Sequence, residues 1–268
     1  MADVCVITGG GSGMGLQTAK FMSGEKIILI SGRTESKLKS ASEELKKSGL
    51  KAFYKTCDTS NRQSVRELAM YAVSLGNVKN VINCAGLSPS MAKPEQLIGV
   101  NALGTLYVNQ EFKKVMKAGS VIVDISSNSA YALPKFIIPK RTYALAEGDE
   151  KKFMKRLLHI CGFVKNEYKR AGLAYALSKN FTLWYAGKCA HEYGRDGIRV
   201  LSLSPGLIAT DMGNLEAEEG KEMLKNAAIK RMGTPEELGF AIAFAADERN
   251  GYLAGVDILC DGGCMCKW

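Results

Sequence analysis

The 268-residue chain has no apolar run near the roughly 20 residues that a membrane-spanning helix needs. Apolar stretches such as Ile27–Ile30 and Val121–Val123 are strand-sized, so no membrane partner is expected. Histidine is scarce, with two residues, and none of the eight cysteines stands in a Cys-x-x-Cys pair. Cys264 and Cys266 amount to half a metal site at most, and no second cluster completes it, so no metal is expected. No Gly-x-Ser-x-Gly elbow occurs, which removes the nucleophile turn of an acyl hydrolase. No linker, composition shift, repeat or low-complexity tract divides the chain, and a single domain over residues 1–268 is expected. Strand-like sequence begins at Val4, so no signal peptide is expected; the expectation is a cytoplasmic protein with reduced cysteines.

What is present describes a globular chain. Apolar residues make up 46% and charged residues 24%, which excludes a disordered or fibrous chain. Seven short apolar runs recur: Val4–Thr8, Lys26–Ser31, Ala52–Lys55, Val78–Asn83, Ser120–Ser126, Ile198–Ser204 and Val256–Cys260. Most are β-branched and apolar throughout, as strands buried on both faces of a parallel sheet are. Helix signals lie between them. Ser60 with Gln63, and Thr234 with Glu237 and Pro235, read as capping boxes. Strands alternating with helices predict an α/β fold, a doubly wound Rossmann-type domain with a seven-stranded parallel sheet.

One segment breaks the alternation. Residues 128–174 are longer than a crossover requires, and Asp149–Cys161 reads as a helix with Phe153, Met154, Leu157, Leu158 and Cys161 on one face. Between Lys135 and Arg170 ten basic residues stand against four acidic ones, so +6 of the chain's formal +9 lies there. A basic chain can face nucleic acid, a membrane surface or an anionic small molecule. The insertion is expected to be a substrate lid, its apolar stripe over a greasy substrate and its cations near an anionic end. A duplex could not enter beneath such a lid, so no nucleic-acid partner is expected. A solvated basic helix face is the plain alternative.

Thr8-Gly9-Gly10-Gly11-Ser12-Gly13-Met14-Gly15 follows the first strand and opens a helix. Glycines let backbone approach a pyrophosphate, and a helix N-terminus offers free N–H groups and a positive dipole end. This predicts a dinucleotide cofactor. At the end of the second strand, where NAD enzymes place an acidic residue for the ribose hydroxyl, the chain has Gly32 and Arg33. An arginine accepts a 2′-phosphate, so NADP is expected, with NAD the alternative. Farther on, Tyr175 and Lys179 stand four residues apart in a helix-like run, hence on one face. A nearby cation favours phenolate, so the pair could move a proton at a carbonyl or carbinol oxygen.

With these residues the chain resembles the short-chain dehydrogenase/reductase family over nearly its whole length. The matching stretches are the Thr8–Gly15 loop, Asp58, Asn83-Cys84-Ala85-Gly86, Asn101, Ile125-Ser126-Ser127, Tyr175 with Lys179, Pro205-Gly206 with Thr210, and Asp261-Gly262-Gly263. The resemblance implies that Tyr175 is the general acid/base and that Lys179 lowers its pKa and binds the nicotinamide ribose. It makes Ser127 the residue that orients the substrate oxygen, with Ser126 the competing choice, and gives Asn101 a water linking Lys179 to solvent. Gly9, Ser12, Gly13, Met14 and Gly15 would hold the pyrophosphate. Asp58, Asn83, Ala85 and Gly86 would lie on the adenosine side, and Pro205, Gly206, Ile208 and Thr210 near the carboxamide.

The chain departs from the usual pattern in two places. Ser127 and Tyr175 are 48 residues apart, and the stretch from Gly86 to Asn101 is short. Both features resemble the 3α-hydroxysteroid dehydrogenase/carbonyl reductase branch. The expected activity is NAD(P)-dependent interconversion of a ketone and a secondary alcohol, on a bulky small molecule, neutral or anionic, such as a hydroxysteroid or bile acid. A reductase of a 3-oxoacyl thioester or small carbonyl, and a non-catalytic nucleotide sensor, are the alternatives. A homo-oligomer is expected, a dimer before a tetramer, because the insertion joins the Tyr175 helix where such helices pack between subunits.

Overall fold

The computed structural model describes residues 1–22 and 25–266. Seven strands alternate with helices in chain order: β1 (Asp3–Thr8), α1 (Gly13–Phe21), β2 (Ile27–Gly32), α2 (Glu35–Lys47), β3 (Lys51–Thr56), α3 (Arg62–Leu75) and β4 (Asn77–Asn83). There follow α4 (Pro94–Ile98), α5 (Gly104–Lys113), β5 (Val121–Ile125), α6 (Lys140–Tyr143), α7 (Glu150–Gly162) and α8 (Glu167–Tyr193). The chain continues through β6 (Arg199–Pro205), α9 (Asp211–Leu215), α10 (Ala217–Asn226), α11 (Pro235–Ala245) and β7 (Asp257–Cys260). All seven sequence runs are strands, with ends displaced by at most one residue.

The strands form one parallel sheet in the order β3-β2-β1-β4-β5-β6-β7. A core lies on each face. Val4, Val6, Leu29 and Val81 face α3, α5 and α8, while Cys5, Ile7, Ile28 and Ile30 face α1, α2 and α11. Strand order reverses between β1 and β4, and in such sheets that crevice is where a ligand binds. Gly9 shows why the crevice is so tightly built. Its φ is +67°, and a Cβ there would lie 2.9 Å from the main chain of Cys84 and Ala85.

The capping box at Thr234 and Glu237 is present. The one read at Ser60 and Gln63 is not: Asn61 caps α3, accepting from the Ser64 N–H at 3.1 Å. Ser60 is drawn instead to Asp58, whose carboxylate accepts both its N–H and its hydroxyl.

Helix α7 of the insertion does not line the cavity beside Tyr175. Phe153, Leu157 and Cys161 of α7 are buried, and the helix packs on α8, α4 and α6. Tyr143, Phe153, Phe181, Trp184 and Tyr185 form one aromatic cluster with ring centroids 5.2–6.3 Å apart. Glu150 closes the near end, taking hydrogen bonds from Arg62 and the Tyr107 hydroxyl. Lys151, Lys152, Lys155 and Arg156 point to solvent on the other face. The stripe read as a substrate cover thus meets α8, because that helix offers a larger apolar face than any small ligand could.

Candidate active site

The Thr8–Gly15 loop closes over the carboxyl ends of β1 and β4. Gly15 packs so near the turn that a Cβ would meet the Gly9 carbonyl oxygen at 2.6 Å. Ser12 is the N-cap of α1, and its side chain caps nothing, so first-turn N–H groups remain for a ligand. The groove of about 560 Å³ here is lined by Gly9, Ser12, Gly13, Met14, Gly15, Arg33, Asp58, Ala85, Gly86 and Thr210. Lys37 lines it too, one turn into α2 beyond Arg33, which places two cations at the end of β2. Sequence reading missed Lys37, although its spacing from Arg33 on a helix start was a usable signal.

A second cavity of about 330 Å³ adjoins the groove, and Met14, Cys84, Gly86, Leu87, Thr210 and Met212 line both. Ser127, Tyr175, Lys179, Pro205, Gly206 and Ile208 line this second space. Its roof is Leu207, Met212, Glu216, Gly220 and Met223, from the segment between β6 and α11. From residues 128–174 only Asn128, Ser129 and Gly172 reach it.

Tyr175 and Lys179 project from one face of α8, whose N-terminus Asn166 caps by accepting from the Lys169 N–H. Burial raises the Tyr175 pKa; the Ser127 and Ser129 hydroxyls pull it back, while Glu216 pushes it up. Lys179 donates to the Ile125 carbonyl at 2.9 Å. Desolvation lowers the Lys179 pKa to about 8, against the opposing pull of Cys84 and Asp124. Asp124 is buried, which raises its pKa to about 6, although Asn109 and Asn83 donate to it. Lys179 Nζ lies 5.9 Å from the Tyr175 ring centroid, and burial is the largest influence on the phenol.

The two candidate serines separate cleanly. Ser126 donates to the Lys179 carbonyl at 2.8 Å. Ser127 accepts from the Ser129 hydroxyl at 2.8 Å, which leaves its own proton for Tyr175 or a substrate. Asn101 lies on a π-helical turn, Gly99–Leu103, a feature frequent at functional sites. Its amide bonds the Leu87 N–H and carbonyl. A Cβ on Gly86 would sit 3.2 Å from Asn101 Oδ1 and 3.3 Å from Lys179 Nζ, so glycine keeps the space between them. Asn83 does not line the groove. It is buried, accepts from Thr8 and donates to Asp124, and so ties β1 to β5 rather than facing an adenosine.

His159 is an exposed residue edge-on to Phe163, and His191 is exposed on α8. Among the described residues no group of three or more His, Cys, Asp or Glu gathers as a metal site. Among them, too, no helix is long and apolar enough to cross a membrane.

This site and sheet define a dinucleotide-binding oxidoreductase. A family model described as short chain dehydrogenase matches residues 3–138, and one described as Enoyl-(Acyl carrier protein) reductase matches residues 161–265. The chain belongs to the short-chain dehydrogenase/reductase family and is an NAD(P)-dependent oxidoreductase. The stretch matched by neither model, residues 139–160, holds α6 and nearly all of α7. The short-chain dehydrogenase/reductase bsc3 of Alternaria brassicicola is 28% identical, covering 99% of this chain and 97% of that protein. The 3-oxoacyl-[acyl-carrier-protein] reductase FabG of Chlamydia muridarum is 26% identical (96% and 95% covered), as is 3beta-hydroxysteroid dehydrogenase 2 of Eggerthella lenta (97% and 94%). Among solved structures, a Serratia marcescens short-chain dehydrogenase/reductase mutant superposes with TM-score 0.78 at 20% identity, 98% of each chain covered. A Burkholderia cenocepacia short chain dehydrogenase in complex with NADP gives 0.76 at 18% identity, covering 98% of this chain and 97% of that one.

Proposed function

We propose that the protein interconverts a ketone and a secondary alcohol on a bulky, largely apolar molecule, with NADP as its cofactor. The observation that carries this is the meeting of Ser127, Tyr175 and Lys179 in a cavity that shares a wall with the glycine-lined groove. The groove suits a dinucleotide, since its backbone approach fails with any Cβ at Gly9 or Gly15. Gly9, Ser12, Gly13, Met14 and Gly15 would hold the pyrophosphate. Asp58, Ala85 and Gly86 would hold the adenosine side, and Pro205, Gly206, Ile208 and Thr210 the nicotinamide end. When bound, that cofactor supplies or receives the hydride.

The chain's own residues handle the proton. In reduction the Tyr175 phenol donates its proton to the carbonyl oxygen, and in oxidation it takes the proton back. The Ser127 hydroxyl donates a hydrogen bond to the same oxygen. Lys179 keeps positive charge one helical turn away, and Asn101 holds the Leu87 main chain across Gly86. The Tyr175→Phe variant is expected to lose about 10²–10⁴ in kcat while NADPH still binds, as checked by coenzyme fluorescence. Retention of more than about a tenth of the rate would overturn the assignment.

Arg33 and Lys37 favour NADP over NAD. Arg33→Ala with Lys37→Ala should weaken NADP at least about tenfold, the loss of one charge-assisted contact, and leave NAD unchanged. A wild type with higher kcat/KM for NAD would reject this choice.

A hydroxysteroid is the substrate that the cavity favours over a phosphate-bearing acyl thioester. The exposed lining is mostly apolar surface, with nine Met, Leu, Ile and Pro residues among 24, and among the described residues Lys179 is its one cation. The insertion before Tyr175 keeps the 3α-hydroxysteroid dehydrogenase/carbonyl reductase branch as the nearest pattern. Because α7 occupies a face of α8, a dimer is proposed over a tetramer. The eight cysteines are free, which suits a cytoplasmic location.

A further inference from the structure

Two polar groupings line the cavity beside Tyr175. One is Ser127, Ser129, Tyr175 and Lys179. The other is Ser88 with Glu216, which take no direct part in the proton and hydride steps, although Glu216 raises the Tyr175 pKa. Ser88 is 3% exposed, and its hydroxyl has no hydrogen-bond partner. It lies near enough to Glu216 to help hold that carboxylate ionised, without an aligned bond to it. A buried polar atom left unpaired costs about 1–3 kcal/mol, and this one lines a ligand-sized space.

Glu216 is held in place from two other parts of the chain. Its carboxylate accepts from the Ser90 N–H at 3.0 Å and from the Tyr168 hydroxyl at 3.1 Å. Partial burial works to raise its pKa, but these hydrogen bonds hold it below the usual carboxylate range. A carboxylate has about four acceptor positions; two aligned bonds fill part of them, and the nearby Ser90 and Ser88 hydroxyls, which also help hold it ionised, can turn to make room for a ligand donor. Among the described residues, Glu216 and Lys179 are the only charged ones lining the cavity. The roof segment, residues 207–226, carries five acidic and two basic residues, and no cation of α7 reaches the cavity.

We infer that Ser88 and Glu216 form a recognition point for a second substrate group that donates hydrogen bonds, a hydroxyl or a protonated amine, and that they exclude substrates whose second group is a carboxylate or phosphate. The inference rests on the ketone–alcohol reading of the site. A substrate hydroxyl would donate to Glu216 and accept from Ser88, satisfying the unpaired oxygen. A protonated amine would donate to both. An anion would face like charge inside a partly desolvated space, where salt screens little.

Four cyclic ketones of similar size test this with the NADPH complex: 4-hydroxycyclohexanone, 1-methyl-4-piperidone, 4-methylcyclohexanone and 4-oxocyclohexanecarboxylate. Each is titrated by coenzyme fluorescence for Kd and assayed for kcat/KM. Wild type is expected to favour the hydroxyl and amine ketones over the methyl ketone by about tenfold or more, the worth of a hydrogen bond to a charged group, with the carboxylate weakest. Glu216→Gln should bring the carboxylate level with the methyl ketone and remove most of the amine's advantage. Ser88→Ala should weaken only the two donor ketones. That variant removes a hydroxyl with no aligned bond, so it decides the matter if Glu216→Gln melts early.

Equal Kd for the methyl and carboxylate ketones in wild type, an order unchanged in both variants, or no binding of any ketone would overturn the inference. The expected Kd order without turnover would overturn the oxidoreductase reading and leave the recognition point standing. Turnover without that order would do the reverse.

Discussion

The insertion (128–174) and the segment between β6 and α11 (207–226) are the two long departures from simple βα alternation, and they do opposite things. The insertion is strongly basic over residues 135–170 and carries a continuous apolar stripe, yet that stripe is buried on α8. The second segment is acidic, and it roofs the cavity beside Tyr175. Length and amphipathicity do not make a lid. What matters is where the segment leaves the sheet: residues 207–226 leave the carboxyl end of β6 directly above the site, whereas α7 docks along a helix already facing the core.

The sharpest way to break this contrast is to truncate one apolar residue in each segment. Phe153→Ala should destabilise the fold by about 3–5 kcal/mol, the usual range for a buried phenylalanine, and lower Tm by about 10 °C for a chain of this size. Its KM should stay at the wild-type value. Met223→Ala on the roof should shift stability by less than about 1 kcal/mol while raising KM several-fold. Thermal melts and steady-state kinetics on both variants check the pair, and a KM change in Phe153→Ala would return the insertion to the pocket.

A second test separates site from scaffold by pH. Folding lowers the Lys179 pKa from 10.5 to about 8, chiefly by desolvation, so its ammonium opposes folding. The sign follows: below pH 8 the penalty is complete, and it fades as pH rises from 8 towards 10.5 because the unfolded chain then binds the extra proton. The shift corresponds to a penalty on the order of 3 kcal/mol. Lys179→Met should therefore be inactive yet at least as stable as wild type at pH 7.5. Its advantage should shrink by pH 9.5, read from urea midpoints at both values. An advantage constant over that range would contradict a buried, depressed lysine.

The smallest effect is expected on the solvent face of α7. Joint neutralisation of Lys151, Lys152, Lys155 and Arg156 to Gln should change kcat/KM less than about twofold, because exposed charges more than about 10 Å from a ligand are screened at ordinary salt. KM for any substrate should respond to ionic strength as it does in wild type. A selective loss for anionic ketones would mean that these cations act on the cavity after all.

Much of the site was legible in one dimension because its constraints are local. Gly9, Gly13 and Gly15 sit within one turn, and Tyr175 and Lys179 are fixed on one face by helical spacing. The strand runs were legible because a parallel sheet buried on both faces demands unbroken β-branched residues. Asp124 with Asn109, Ser88 with Glu216, and the Asn83 tie to Thr8 were not legible. Their partners lie 15 to 128 residues apart in the chain and meet only through packing.

The amino-acid order by itself determined the strands, the phosphate-binding turn, and that Tyr175 and Lys179 share one helix face, since each rests on a periodicity or a turn conformation that a few consecutive residues impose. The tertiary structure alone decided that α7 fills a core face while an acidic segment roofs the cavity, and that Tyr175 lies deep enough for burial to raise its pKa. Those outcomes depend on which apolar surfaces compete for one another and on how much water their contact expels. Both are properties of the assembled chain rather than of any stretch within it.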